Sequence, residues 1–281
     1  MCALVSAAST LVPLPAQAER PPVDVVLDLR PPADAASGQT VDTLEQHGTA
    51  RVDVSVGTLD GGSAQWADHP VGGLVVDFPQ PTSDVLVPRA VLAVRDLGAP
   101  DGTQGGDAFS PGRRSFSFGA DFRPSLLQRG RYDDGDNVIQ RGLASDASQY
   151  KLEISGGRVA CYVTGSRGTL GIHVGDSVDP RAWYTARCSR LGEAIVLWVA
   201  EHRPDGSVQA QSRTRHGLLG EVAWDSDGPP VAIGGKLGAT GELVRSATDQ
   251  LNGHAGRPVI VLDSTLALEC EWSACPYAVA L

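Results

Sequence analysis

Short apolar runs separated by turn residues are the main regularity of this chain. From about residue 51 onward, runs of Val, Ile, Leu, Thr and aromatic residues are broken by Gly, Asp, Pro and Ser about every ten residues. This spacing is typical of antiparallel β-structure, and helical periodicity is nearly absent. The predicted strands cover residues 23–30, 51–57, 73–78, 115–122, 137–142, 150–155, 158–164, 183–190, 194–201, 231–235 and 258–263.

Several of these runs carry their own local signals. Along 158–163, Val159, Cys161 and Val163 alternate with Ala160 and Tyr162, which is the period of two that a strand with one buried face requires. In the run 194–200 the residues at odd and at even positions are both apolar. Because these positions point to opposite faces of a strand, the run predicts a strand covered on each side.

Two turns are also predicted from the sequence. Gly156 and Gly157 predict a two-residue hairpin loop, because glycine adopts positive φ without cost. Pro204-Asp205-Gly206 predicts a turn after the 194–201 strand.

The pattern predicts an all-β fold, a two-sheet antiparallel β-sandwich. The glycine-rich segment 96–114 reads either as a long polar loop or as a linker between two domains. We favour one domain over residues 19–263, because the residues before this segment read as opening strands of the same sandwich. Residues 264–281 are then a C-terminal tail.

Composition narrows the classes of protein. Hydrophobic residues make up 42% and charged residues 20% of the chain, and its 33 glycines follow no repeat, which excludes collagen-like and coiled-coil chains. The formal charge of −10 would repel a phosphate backbone, so we expect no nucleic-acid partner.

The first 18 residues are uncharged and apolar and end in Ala16-Gln17-Ala18, the small-x-small pattern of a signal-peptide cleavage site. We expect a signal peptide over residues 1–18 and a secreted protein, the alternative being an ordinary buried strand. A basic n-region is missing, so we expect the true start to lie upstream. No later stretch is long and apolar enough to predict a membrane span.

Cleavage there would leave four cysteines, an even number that favours disulfides in an exported chain. Four cysteines allow three pairings. We favour Cys161 with Cys188, which lie in two β-like runs, and Cys270 with Cys275, which bracket a short segment. A zinc site is the alternative, but CxxC-like spacing is absent.

The order of strand motifs resembles the laminin-G-like, concanavalin A-like lectin and glucanase jelly roll, in particular the secreted versions of actinobacteria. The motifs are GGLVVDF (72–78), FSFGADFRP (116–124), DNVIQRG (136–142), YKLEISGGRVAC (150–161), WYTARC (183–188) and VAIGGK (231–236). Cysteines 161 and 188 match a disulfide of that group. The chain departs from the pattern at 252–259. The family usually carries Ile-Asp before its last strand, whereas this chain has Gly256 and Pro258 there.

The resemblance implies either recognition or glycan hydrolysis. The related glucanases use E-x-D-x-x-E on one strand, which places two carboxylates about 5 Å apart. That motif is absent, and the nearest pair, Glu269 and Glu271, reads as exposed carboxylates beside a disulfide loop.

A sugar-binding surface needs exposed aromatic rings. Trp66, Tyr132, Trp224 and Trp272 lie in loop-like segments and are the candidate carbohydrate-binding residues. Trp183 and Trp198 lie inside predicted strands, and we assign both to the core.

Asp133, Asp134, Asp136 and Asn137 form an acidic turn before a strand. Clustered oxygen ligands suit Ca²⁺, and laminin-G-like relatives often hold calcium at the sandwich rim, so these residues are the candidate calcium ligands. The alternative is a solvated turn in which Asp and Asn serve turn geometry.

These observations predict a secreted, non-catalytic module that binds carbohydrate or a cell-surface protein, with calcium as a candidate cofactor. The alternatives are a glycoside hydrolase of the glucanase branch and a purely structural cell-surface domain.

Overall fold

The computed structural model describes residues 24–70, 72–81, 88–98, 107–125, 135–224, 228–244 and 249–263. Within these ranges the backbone forms sixteen strands and no helix, so no helix there is long and apolar enough to cross a membrane. The strands are β1 (Asp24–Arg30), β2 (Glu45–Gln46), β3 (Val52–Leu59), β4 (Gln65–Asp68), β5 (Leu74–Asp77), β6 (Arg89–Asp96), β7 (Phe116–Pro124), β8 (Gly135–Arg141), β9 (Gln149–Ser155), β10 (Arg158–Gly165), β11 (Gly168–Val174), β12 (Trp183–Leu191), β13 (Ala194–His202), β14 (Val208–His216), β15 (Val231–Ile233) and β16 (Gly253–Leu262).

The strands form two antiparallel sheets that pack as a sandwich, which confirms the predicted fold class. The nine-stranded sheet runs β14-β13-β12-β7-β16-β1-β2, and β5 joins it on β16 with β4 beside β5. The seven-stranded sheet runs β11-β10-β9-β8-β15-β6-β3. Every pairing between the described strands is antiparallel.

The main hydrophobic core lies between the sheets and follows from side-chain alternation. In β7, Phe116, Phe118 and Phe122 face the core and are fully buried. The ring of Phe118 packs against Tyr150 of β9, in the opposite sheet, with ring centres 4.9 Å apart. Each such side chain contributes roughly 2 kcal/mol by leaving water, so these contacts determine which face of each strand points inward.

Most predicted strands correspond to observed ones. The predicted set lacks β2, β4, β6, β11 and β14. β14 is exposed along its whole length and mostly polar, so its extended form depends on pairing with β13 rather than on an apolar pattern. β13 lies between β12 and β14 and is buried on both faces, as its apolar pattern predicts.

The hairpin between β9 and β10 has the predicted turn. Ser155 pairs with Arg158, and the two intervening residues, Gly156 and Gly157, have φ of 55° and 74°. A side chain at either position would be strained in this conformation.

The last strand, β16, forms despite the unusual 252–259 sequence. A bulge between Gly256 and Val259, with Arg257 at φ 50°, interrupts its pairing with β7. Before the bulge β16 pairs with β5, and after it with β1. The bulge therefore lets one strand serve two neighbours on the same side.

A disulfide joins the two sheets through the core. It links Cys161 of β10 to Cys188 of β12, with Cα atoms 6.1 Å apart, and both cysteines are fully buried. The structure therefore contains the first of the two favoured bridges. Cys270 and Cys275, like the proposed signal peptide, lie outside the described residues.

We expect the double variant Cys161→Ala, Cys188→Ala to be less stable than the wild type by about 3 kcal/mol. The bridge closes a loop with a sequence separation of 27 residues, so the unfolded chain gains conformational freedom when it is removed. Urea unfolding of the oxidised wild type and the variant measures the difference. Equal unfolding midpoints and slopes would contradict the structural role of this bridge.

Candidate functional site

The outward face of the nine-stranded sheet carries polar and aromatic side chains. Because the phenylalanines of β7 point inward, Asp121 and Arg123 point to the other face. Cys188 of β12 is in the core, so Trp183 and Thr185 point outward by the same alternation. Burial between the sheets thus determines which side chains meet on the outside.

Strand register places five of these side chains in a row across five strands. His202 of β13 is paired with Trp183 of β12. His254 of β16 is paired with Arg123 of β7 on one side and with Asp77 of β5 on the other. We call His202, Trp183, Arg123, His254 and Asp77 the outer row.

Trp183 is at the centre of the contacts in the outer row. The guanidinium carbon of Arg123 lies 5.5 Å from the centre of the indole ring, within cation–π range. The ring centre of His254 lies 5.7 Å from that of Trp183. His69, which follows β4, approaches the indole edge-on at 4.3 Å between ring centres. These contacts leave Trp183 7% exposed, outside the main core cluster.

A carboxylate lies beside the outer row, one residue further along β7. Asp121 is 4% exposed, and its Oδ1 is 3.8 Å from Nη2 of Arg187. Arg187 crosses the sheet over Gly119, where a Cβ would lie 2.9 Å from the Cδ of Arg187 and 2.0 Å from a backbone oxygen. Only glycine at this position therefore leaves room for the ion pair.

A pocket with a volume of about 310 Å³ opens over these residues. Asp121, Arg123 and Trp183, which come from β7 and β12, line this pocket, and we call them its floor. We call the other lining residues its walls; they include His69 and Pro70, the side chains of Arg181 and His202, and the turn between β13 and β14 with Arg203. The Oγ1 of Thr185 and Nε2 of His202 are 3.2 Å apart and share a hydrogen bond on this wall.

The electrostatic environment favours neutral histidines here. Burial, followed by the charge of Arg257, lowers the pKa of His69 to about 4. Burial and then Arg123 lower the pKa of His254 to about 4. Burial also lowers the pKa of His202, although Asp121 opposes this. At neutral pH these three imidazoles are uncharged and can each donate and accept a hydrogen bond.

The carboxylic acids near the pocket shift in the other direction. Burial raises the pKa of Asp121, and the charge of Arg187 opposes only part of this increase. Burial likewise raises the pKa of Asp77, against the opposing charge of Arg123. Desolvation is therefore the dominant effect on both carboxyl groups.

Two pocket residues have polar atoms without hydrogen-bond partners in the described part of the chain. These atoms are Nε of Arg123 and Nε1 of Trp183. The carboxylate of Asp121 interacts instead with Arg187 and with the hydroxyl group of Thr185. Both nitrogen atoms are shielded from solvent, so a ligand reaches them only after neighbouring side chains move. An unpaired buried polar group costs about 1–3 kcal/mol, and a polar ligand that then paired with them would recover this free energy.

The structure places two of the predicted carbohydrate-binding residues. Trp66 is in β4 rather than in a loop, and it is 4% exposed and part of the main core. The expectation of an exposed loop position is wrong for Trp66, because β4 pairs with β5 and turns this ring inward. Tyr132 and Trp272 lie outside the described residues.

Trp224 lies in a loop, as predicted, but packs against buried groups. Its ring is T-shaped against Tyr150, with centres 5.6 Å apart, and the guanidinium carbon of Arg141 lies 4.4 Å from its ring centre. Trp224 is half-buried, and part of its ring surface is used in these packing contacts. It does not line the pocket over Trp183.

Two predicted calcium ligands also lie in the described part of the chain. Asp136 and Asn137 are fully buried in β8. Oδ1 of Asp136 accepts a hydrogen bond of 3.3 Å from the backbone N–H of Asn252, and Nδ2 of Asn137 donates one of 2.6 Å to Gln140. No group of three or more His, Cys, Asp or Glu side chains suited to a metal occurs among the described residues. Asp133 and Asp134 lie outside them, so calcium binding stays a prediction.

The assignment of Trp183 and Trp198 to the core is corrected by the structure. Both face outward from the nine-stranded sheet, and Trp198, paired with Arg187, is half-buried. The motif WYTARC carries the signal for the outward position of Trp183, because Trp183 shares the phase of Thr185 and Arg187 and has the opposite phase to Cys188. The position of Trp183 in a strand shows only that its backbone is extended. Its odd-numbered position, opposite in alternation to the buried Cys188, shows that its side chain points outward.

Comparison with known proteins shows similarity at the level of fold. No protein-family model matches the chain, and no curated protein matches it in sequence. The binding domain of Paraclostridial Mosquitocidal Protein 1 is similar over 84% of this chain and 48% of its own, with a TM-score of 0.50 and 9% identity. Botulinum neurotoxin type C, whose cell entry is dependent upon interaction with two ganglioside molecules, is similar over 84% of this chain and 47% of its own, with a TM-score of 0.50 and 11% identity. The chain thus spans about half the length of each structure, and these identities show a shared fold alone.

When the pH falls from about 7 to about 5, we expect the free energy of unfolding to decrease less in the double variant His69→Gln, His254→Gln than in the wild type. Each histidine has a folded-state pKa of about 4, below the ordinary 6.5, so the unfolded chain takes up protons first as the pH falls below 6.5. Wild-type stability therefore falls over this interval, by about 1 kcal/mol per histidine after allowance for solvent screening.

Urea unfolding at both pH values measures this difference. The variant His216→Gln, which alters an exposed histidine of β14, serves as the control and should follow the wild type. Identical pH dependence of the wild type and the double variant would show that the two imidazoles near Trp183 do not resist protonation.

Proposed function

We propose that the protein is a non-catalytic recognition module that binds carbohydrate in the pocket over Trp183. The observation that carries this proposal is the combination of an indole wall with unsatisfied donors and a carboxylate in one pocket of about 310 Å³. Small-ligand sites typically begin at about this volume and combine apolar walls with a few convergent polar groups. A sugar presents both an apolar C–H face and many hydroxyls, so it matches both features.

Binding fits the pocket better than glycan hydrolysis does. Hydrolysis by the common mechanisms needs two carboxyl groups, about 5 to 10 Å apart, on either side of the scissile bond. Among the described residues, Asp121 is the one acidic side chain that lines the pocket. A single carboxylate can orient a sugar hydroxyl, but it cannot serve as both acid and nucleophile.

A purely structural role is a weaker explanation of the same residues. A surface that serves only packing does not need a cavity of about 310 Å³ lined by arginine, histidine and carboxylate side chains. The fold similarity to a toxin binding domain and to a neurotoxin that interacts with gangliosides also supports recognition.

We also propose that the protein acts outside the cytosol. The disulfide between Cys161 and Cys188 supports this, since such bonds persist mainly in oxidising compartments. The apolar first 18 residues support the same proposal independently.

We expect Trp183→Ala to weaken retention on an array of immobilised microbial, plant and animal glycans by roughly tenfold or more. The reason is loss of the indole wall on which the sugar ring packs. Trp198→Ala is the matched control, because Trp198 faces outward from the same sheet but does not line the pocket.

Two results would contradict the proposal. Absence of wild-type retention on every glycan of the array would remove carbohydrate as the ligand. Undiminished retention of Trp183→Ala, together with loss in Trp224→Ala, would place the binding surface near the loop tryptophan that the sequence indicates.

A further inference from the structure

The arginines that line the pocket differ in how their charges are balanced. Arg181 forms an ion pair with Asp179 at 2.8 Å, and Arg203 forms one with Glu201 at 3.1 Å. Arg123 has no carboxylate within 4.0 Å among the described residues. No described carboxylate thus contacts Arg123 directly, and its charge acts on the carboxyl group of Asp77 at longer range.

The surroundings of Arg123 hold its guanidinium in a fixed place. One side faces the Trp183 ring, and Nη2 is 3.4 Å from Nδ1 of His254. The Nε atom is buried without an acceptor, as is the indole Nε1 of Trp183. Two N–H donors of neighbouring side chains thus lack acceptors at the same part of the pocket.

Arginine charge acts on the imidazoles near Arg123. After the larger effect of burial, Arg257 and Arg123 both lower the pKa of His69. Arg123 also lowers the pKa of His254. Positive charge concentrated in a partly desolvated pocket favours a negatively charged ligand group.

We propose that the pocket selects saccharides that carry a carboxylate. This inference rests on the proposed carbohydrate-binding function and adds the chemical class of the ligand. Arg123 binds the carboxylate through its planar set of donors, with the Trp183 indole N–H as a neighbouring donor. Asp121, on the same floor, accepts hydrogen bonds from sugar hydroxyls.

The presence of Asp121 favours a carboxylate sugar over a phosphorylated one. A phosphate monoester carries more negative charge at neutral pH and would be repelled more strongly by the carboxylate at the floor. The formal charge of −10 over the whole chain does not oppose the proposal, since charges beyond a screening length of about 8 Å act weakly at physiological salt.

The test uses immobilised pairs of saccharides that differ in one group. Each pair contains a uronic acid and its hexose, or a glycan with and without a terminal sialic acid, and sulfated forms of the neutral members are included. We expect the wild type to bind the carboxylated member of at least one pair roughly 10- to 100-fold more tightly than its neutral partner. Free glucuronate should compete, and acetate at equal concentration should not.

The variant Arg123→Gln should lose this preference while keeping the weaker binding to the neutral member. Arg123→Lys should show an intermediate preference, because it keeps the charge but not the planar fork. Arg167→Gln is the charge-matched control, since Arg167 lies outside the pocket and is half exposed. Thermal unfolding of each variant shows whether the fold is retained.

The possible outcomes separate the two levels of the proposal. Equal binding to both members of every pair, or a preference for sulfated forms alone, would overturn the selection of carboxylates and leave carbohydrate recognition standing. No binding to any saccharide would overturn both. An unchanged carboxylate preference in a folded Arg123→Gln variant would overturn the role of Arg123.

Discussion

Alternation of side chains along extended strands is the constraint on which this structure depends. Once Phe118 and Cys188 are buried between the sheets, the opposite faces of β7 and β12 are determined as well. The antiparallel register then fixes which outward residues become neighbours. The pocket over Trp183 is therefore a consequence of core packing, and a one-residue slip in any of these strands would dismantle it.

The outward face of the nine-stranded sheet contains buried charged groups and neutral imidazoles close together. The ion pair of Asp121 and Arg187 is almost fully buried, and the lack of a Cβ at Gly119 makes space for it. Such pairs contribute little net stability but are costly to break, because a single charge would then be left desolvated. Burial, assisted by neighbouring arginines, keeps the histidines neutral, so the site combines fixed positive charge with uncharged hydrogen-bonding rings.

The sequence predicts the fold better than it predicts the site. Turn glycines, apolar runs and the cysteines of β10 and β12 are local signals, and they are sufficient for the all-β class and the disulfide between the sheets. The outer row joins residues from five strands, and His254 meets Asp77 through the pairing of β16 with β5, just before the bulge in β16. Loop position alone was a poor guide for Trp66, which β4 turns into the core. No pattern within a single segment reports such long-range pairing.

The most direct test of the account follows the indole N–H groups of the five tryptophans by ¹⁵N-correlated NMR as an array-selected saccharide is added. Each signal can be assigned by single Trp→Phe variants. The account predicts that the Trp183 signal shifts strongly, because its N–H gains an acceptor, while the signals of Trp66 and Trp224 stay in place. A shift confined to Trp66 or Trp224, with Trp183 unchanged, would contradict it.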